Sequence, residues 1–262
     1  MVITLICDTY GVHSNGTTVS AARFVQELRR RGHEVRVVGV TPEGRDFYPV
    51  HEIHIPLFQP LVRNQGITLG RAEQEVLRRA LDGADVVHIY LPFPLGQKAE
   101  ALAREMGVAR VGAFHMQPEN ITYNIGLRDR GSAGFVYFLL RKWLYGKVDH
   151  IHCPSAFIAN EMQRHGYKSQ LHVITNGIAP AFTPGPATPI PEYQDKILIA
   201  MVGRLSPEKR QDVLIRAVGL SKYADRIQLL LAGKGPKEQR YRKLGQALPH
   251  PPVFGYYTQA EL

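Results

Sequence analysis

The chain has 262 residues, room for one large domain or two modest ones, and its 44% hydrophobic and 21% charged content suits a packed core rather than disorder. Its 32 basic and 23 acidic side chains give a formal charge of +9. That favours anionic partners, but with no basic stripe or recognisable motif the partners expected are phosphorylated small molecules or an acidic membrane surface, not nucleic acid.

Val2 to Cys7 reads as a buried strand. It lacks the basic and long apolar regions of a signal peptide, so the expected location is cytoplasmic. From Thr17 to Arg31, Val19, Ala22, Val25 and Leu28 recur at helical spacing; Gly32 ends that helix and Glu34 to Val40 gives the next strand. A short strand follows at His51 to Ile55, then a helix over Arg71 to Leu81, a strand over Asp85 to Tyr90, a helix over Lys98 to Met106 and a strand over Arg110 to Phe114. A basic, aromatic helical stretch runs from Ala133 to Lys147. Its apolar part is short and broken by Arg141 and Lys142, so it cannot cross a bilayer. Strand, helix and strand follow at His150 to Cys153, Ala156 to His165 and Leu171 to Ile174. Short apolar strands separated by helices predict an α/β fold with a parallel sheet covered on both faces.

Gly177 to Asp195 holds Pro180, Pro184, Pro186, Pro189 and Pro191, too many for a helix or a central strand. It reads as a linker over 178–195 between a domain of residues 1–177 and a second of residues 196–262. There the pattern restarts: strand Lys196 to Val202, helix Glu208 to Leu220, strand Ile227 to Ala232, helix Lys237 to Leu248 and a short strand near Val253. Three strands and two helices make an open-ended sheet.

Cys7 and Cys153 lie in or beside apolar runs and read as reduced core thiols. In a strand, His150 and His152 share one face while Cys153 points to the other, so this cluster is not expected to bind metal. Two turns suit an anionic ligand. Asp8 to Thr18 places Gly11, Asn15, Gly16, Thr17 and Thr18 ahead of a helix, where backbone N–H groups face a phosphate; the same residues also suit a tight connection and a helix cap, and both readings stay open. In Val202 to Lys209, Gly203 ends a strand and Ser206-Pro207 starts a helix. Arg204 then stands at a strand's carboxyl end and Lys209 in the first helical turn, a pairing suited to a diphosphate. Two solvated surface cations, with Lys209 answering Glu208 or Asp212, are the plainer alternative.

Residues 202 to 215, Val-Gly-Arg-Leu-Ser-Pro-Glu-Lys-Arg-Gln-Asp-Val-Leu-Ile, resemble the donor-phosphate motif of family-4 retaining glycosyltransferases. In that family's order, Asn15-Gly16-Thr17 resembles its first glycine-rich turn, residues 173–178 its hinge strand and Leu231 to Pro236 its second donor-side turn. Ala113 to Ile121 is similar to a bacterial subgroup of lipid glucosyltransferases. The resemblance implies a GT-B fold: a complete Rossmann-like acceptor-side domain followed by an incomplete Rossmann-like donor domain. It implies hexosyl transfer from UDP- or GDP-hexose to a lipid or glycan with retention of anomeric configuration. Arg204 and Lys209 would hold the diphosphate, Gly16 would admit it, Gly235 would line the nucleotide side, and His115 would bond the donor sugar near the reacting carbon. No protein-held cofactor or metal is expected, since no Asp-x-Asp pair occurs. Without the resemblance, His115 reads as a satisfied core histidine.

The family also carries two glutamates eight positions apart further along the second lobe, and no such pair occurs here. The expectation is a shortened, impaired member. On the acceptor side, Asn15, Thr17, Gln117, Glu119, Asn120 and Tyr123 are candidates by position alone. Phe135, Tyr137, Phe138, Trp143 and Tyr145 with Arg141, Lys142 and Lys147 form either a surface for acidic lipid or an aromatic face packed on the sheet. Two further functions remain open: a sugar-nucleotide epimerase, and a non-catalytic nucleotide-sugar-binding remnant.

Overall fold

A computed structural model describes residues 1–11, 16–40, 44, 46–54, 68–124, 126–127, 129–178, 183, 185 and 190–257. The chain divides into two compact units, one of Met1–Thr122 with Arg128–Gly177 and one of Tyr123–Leu127 with Ile178–Leu262.

The first unit holds a seven-stranded sheet of β1 (Val2–Ile6), β2 (Glu34–Gly39), β3 (Phe47–Pro49), β4 (Val86–Ile89), β5 (Ala109–Ala113), β6 (His150–Cys153) and β7 (Gln170–Val173). All pairings are parallel, in the order β3-β2-β1-β4-β5-β6-β7. Strand order therefore reverses between β1 and β4, the place where open α/β sheets form a crevice at their carboxyl ends.

Alternate side chains feed two cores. Ile6, Val38, Ile89 and Ile151 pack with α2 (Gln74–Leu81), α3 (Pro94–Glu105), α5 (Arg130–Leu140) and α6 (Ala156–Arg164). Leu5, Val37, Tyr90 and Ala113 turn to the other face and pack with α1 (Gly16–Arg30). The buried stripe of α1 is Thr18, Ala21 and Val25, rotated from the expected one. Thr18 can lie there because its hydroxyl bonds the Thr9 carbonyl at 3.1 Å.

The structure departs from the sequence reading in several elements. The third strand is Phe47–Pro49 rather than His51 to Ile55. The Glu73 carboxylate takes the His51 backbone N–H at 2.8 Å, and the Glu52 backbone forms an isolated bridge to Gly70 instead of a strand; Ile55 lies outside the described residues. Helix α3 starts at Pro94, ahead of Lys98, because proline suits a first helical position that has no bond to donate. A short helix, α4 (Pro118–Asn124), was not foreseen; seven mostly polar residues show no period. The stretch 133–147 belongs to α5, capped by Asp129 accepting from the Ser132 N–H at 2.7 Å, and to a π-helical turn over Arg141–Tyr145. The packed-face reading of this stretch holds in part: Tyr137, Leu140, Leu144 and Tyr145 are buried, while Phe135, Phe138 and Trp143 are exposed.

The second unit has a parallel sheet of β8 (Ile197–Val202), β9 (Ile227–Ala232) and β10 (Val253–Gly255), with β9 central. Helices α7 (Gln211–Gly219) and α8 (Glu238–Gly245) supply Ile215, Val218 and Tyr241 to a core with Leu205, Leu229 and Leu231. Among the described residues, no helix is long and apolar enough to cross a membrane.

Candidate functional site: the carboxyl edges of two parallel sheets

In the second unit, β8 and β9 each end in a glycine with a φ that side chains rarely adopt, 150° at Gly203 and 152° at Gly233. The two turns then lace together: Gly203 N–H donates to Ala232 O at 2.8 Å, Leu205 N–H to Lys234 O at 3.0 Å, and Lys237 N–H to Leu205 O at 3.0 Å. A Cβ at Gly235 would fall 2.3 Å from the Leu205 oxygen, so this close approach requires glycine there. The turn is held from below as well, by Gln211 Nε2 donating to Arg204 O at 2.8 Å and the Tyr241 hydroxyl donating to Ser206 O at 3.1 Å.

Arg204 is half-buried on this braced turn and Lys209 is exposed. The Lys209 stem lies 4.0 Å from where a Cβ on Gly203 would stand, so both cations belong to one turn. Lys209 is not in the following helix, as the sequence suggested. Pro207–Lys209 forms a 3-10 turn, Arg210 takes the left-handed conformation at φ 58°, and the helix begins only at Gln211. The carboxylates expected to answer Lys209 are engaged elsewhere: Asp212 pairs with Arg210 at 3.3 Å, and Glu208 accepts from the Ser206 hydroxyl.

In the first unit, Gly16 opens α1, and a Cβ there would meet nothing within 4 Å. Thr17 is half-buried and Asn15 lies outside the described residues. His115 follows β5, with its ring stacked on Tyr90 (centroids 5.0 Å apart, planes at 19°) and its Nε2 buried without a hydrogen-bond partner. Burial, then the nearby His152, pushes its pKa down to about 4, so the imidazole is neutral near pH 7. Gln117, Glu119 and Asn120 lie at or on α4 just beyond, and Tyr123, near the end of that helix, falls in the second unit. Asn120 is exposed; Glu119 Oε2 accepts from the Tyr137 hydroxyl at 3.3 Å, which gives it a packing role too.

A family model described as Glycosyltransferase Family 4 matches residues 14–182. The chain belongs to that family. A second model, Glycosyl transferases group 1, matches residues 188–253 of this family-4 glycosyltransferase. It is 24% identical over 261 residues to a GDP-mannose-dependent alpha-mannosyltransferase of Corynebacterium glutamicum, covering 93% of this chain and 60% of that protein. It is 26% identical over 256 residues to the alpha-monoglucosyldiacylglycerol synthase of Streptococcus pneumoniae, covering 90% and 56%. The chain thus spans 56–65% of the length of the curated relatives it matches. Among solved structures, Anabaena HepE in complex with UDP and glucose aligns with TM-score 0.62 at 14% identity over 98% of this chain and 69% of its own. TarM aligns with TM-score 0.67 at 10% identity over 99% and 77%. These likenesses show the GT-B fold.

Sequence reasoning missed three buried polar groups in this family-4 glycosyltransferase. Asp8, fully buried at the end of β1, accepts from Gly70 N–H at 2.9 Å, leaves Oδ2 unpartnered, and is pushed up to about 7 by burial. His88 and His152 line a cavity of about 390 Å³ beside the Phe24 and Leu28 side chains of α1, and each has a buried, unpartnered ring nitrogen. His150 shares that cavity, whereas Cys153 points into the opposite core beside Met162. The alternation of His150, His152 and Cys153 was readable; the meeting of His152 with histidines of other strands was not. Among the described residues, no group of three His, Cys, Asp or Glu side chains is placed to hold a metal ion.

Proposed function

We propose that this family-4 glycosyltransferase moves a hexose from a nucleotide-sugar donor to a hydroxyl of a lipid or glycan acceptor, with retention of anomeric configuration. The observation that carries the reading is the pair Arg204 and Lys209 on one braced turn at the carboxyl edge of a parallel sheet. A bidentate guanidinium beside a mobile ammonium matches a diphosphate, whose charge grows as it departs. Gly16 would admit the diphosphate to the first turn, and Gly235 would line the nucleotide side. The bond from the anomeric carbon to the phosphate oxygen breaks, the acceptor oxygen bonds that carbon on the same face, and the acceptor proton passes to the departing phosphate. His115, neutral and with an unpartnered Nε2, would hydrogen-bond the donor sugar near that carbon.

The names of the relatives support both nucleotides as candidates, since one is GDP-mannose-dependent and the HepE structure holds UDP. The monoglucosyldiacylglycerol in the name of the Streptococcus pneumoniae relative supports a lipid acceptor. Phe138, exposed beside Lys142, Lys147 and Lys168, with Phe135 and Trp143 also exposed, supports peripheral contact with an acidic membrane at its cytoplasmic face. Titration calorimetry with UDP-glucose and GDP-mannose on the wild type, Arg204→Ala and Lys209→Ala tests the donor site. Each variant is expected to lose about 1.5–3 kcal/mol of binding, the worth of a charged hydrogen bond. Unchanged affinity in both variants would defeat the assignment.

A further inference from the structure

We propose that His152 is a positioning residue that fixes the orientation of the His115 imidazole for hexosyl transfer; the proposal rests on the role given to His115 above. The register of β5 and β6 places His152 directly beside Ala113. His115 lies two residues beyond Ala113 and so on the same face. The methyl of Ala113 leaves room for the two imidazoles to meet, and they do so edge to face, with centroids 5.4 Å apart and planes at 89°. With Tyr90 stacked on its face, His115 is gripped from two sides.

His152 is itself held. Its Nε2 lies 2.7 Å from the Ile174 carbonyl oxygen, which only accepts, so Nε2 carries the proton and Nδ1 does not. Phe24 of α1 stacks on the same ring at 6.0 Å and 24°. A line of contacts therefore runs from the backbone after β7, through a tautomer-locked imidazole, to the ring after β5.

Packing alone does not account for this arrangement. His152 is 5% exposed and His88 6%, and their centroids are 5.9 Å apart. Three ring nitrogens, His88 Nε2, His115 Nε2 and His152 Nδ1, are buried without partners in this one cluster. Phenylalanine or leucine would fill the space with no such desolvation cost. The titratable groups around His115 are His88 from β4, Tyr90 just after it, and His152 from β6. Burial is the larger cause of the lowered His115 pKa and the nearby His152 the smaller, so replacing His152 relieves the smaller one and lets His115 protonate somewhat more readily.

The test uses the full chain with His152→Phe and His152→Gln, the latter keeping an amide donor for the Ile174 carbonyl. Folding is checked by circular dichroism. The His115 imidazole resonance, assigned with His115→Asn, is titrated by NMR, and kcat and KM are measured with UDP-glucose and GDP-mannose as donors. In His152→Phe, His115 is expected to titrate at higher pH, with the acid limb of kcat moving the same way. The kcat at neutral pH is expected to fall at least about tenfold, a loss of about 1.4 kcal/mol of transition-state stabilisation, with KM nearly unchanged and partial recovery in His152→Gln. A His115 titration that does not move, or an unchanged kcat, in whichever variant folds overturns the proposal. Should the wild type turn over neither donor, the hexosyl-transfer reading fails instead, and the NMR titration still decides whether His152 holds the ring.

Discussion

A Cβ at Gly16 would meet open space, whereas one at Gly235 would fall 2.3 Å from a backbone oxygen, so the same residue type is present for different reasons. Gly16→Ala is expected to leave the thermal midpoint unchanged or slightly raised, because alanine is the better helix former. It should nevertheless weaken nucleotide-sugar binding, as read by calorimetry. Gly235→Ala should destabilise the second unit by about 1–3 kcal/mol in urea unfolding, because the backbone it strikes cannot step aside. For His115→Ala, turnover should fall far more than nucleotide affinity; equal losses would contradict the role proposed for it at the reacting carbon. Arg204 was legible because a glycine closing an apolar strand ahead of Ser-Pro marks a sheet edge. The place of Lys209 was not, since it depends on a left-handed Arg210, a conformation that non-glycine sequence does not announce. His152 was hidden because its meaning lies in which residue stands across from it, and register is a property of the folded sheet.

Between residue and molecule, the π-helical turn after α5 determines which aromatics face inward. One extra residue per turn puts Leu144 and Tyr145 in the core, where the Tyr145 hydroxyl donates to Ala113 O at 2.9 Å, and leaves Trp143 outside. Gly112 faces Tyr145, with a Cβ there only 3.1 Å from the ring, so strand and turn are fitted together. The outward set, Phe138 and Trp143 with Lys142 and Lys147, suits a headgroup layer. Phe138→Ser with Trp143→Ser should reduce sedimentation with phosphatidylglycerol vesicles, and raised salt should reduce wild-type binding as well. Equal sedimentation of variant and wild type would remove the membrane surface from this face. Strand and helix order was largely legible from apolar runs and periodicity. The π-turn and α4 were not, because a helix continuing past Leu140 and seven mostly polar residues leave no mark in the pattern.

For the whole molecule, buried titratable groups make stability depend on pH. Burial pushes His88 down to about 3 and His115 to about 4, while Asp8 is pushed up to about 7. Below pH 6.5 the unfolded chain takes up two protons that the folded histidines refuse, and above pH 4 the folded chain keeps one on Asp8 that the unfolded chain releases. The histidines prevail between about pH 4.5 and 6, so unfolding free energy should fall by about 1 kcal/mol per pH unit on acidification. The single tryptophan, Trp143, lies in the first unit and reports that transition by fluorescence; a flat or opposite trend there would contradict the burial of these groups.

Within each sheet every strand runs the same way, which makes the two ends of the strands chemically unequal. Where strands begin, a substitution has only packing to disturb, and a tolerant neighbour can absorb it. Where they finish, the same change falls among Gly203, Arg204 and His115 and, on the proposed function, meets a second constraint. A saturation map of this chain should therefore show a gradient along the strand axis, permissive at the starts and strict at the finishes, cutting across the ordinary division between inside and outside.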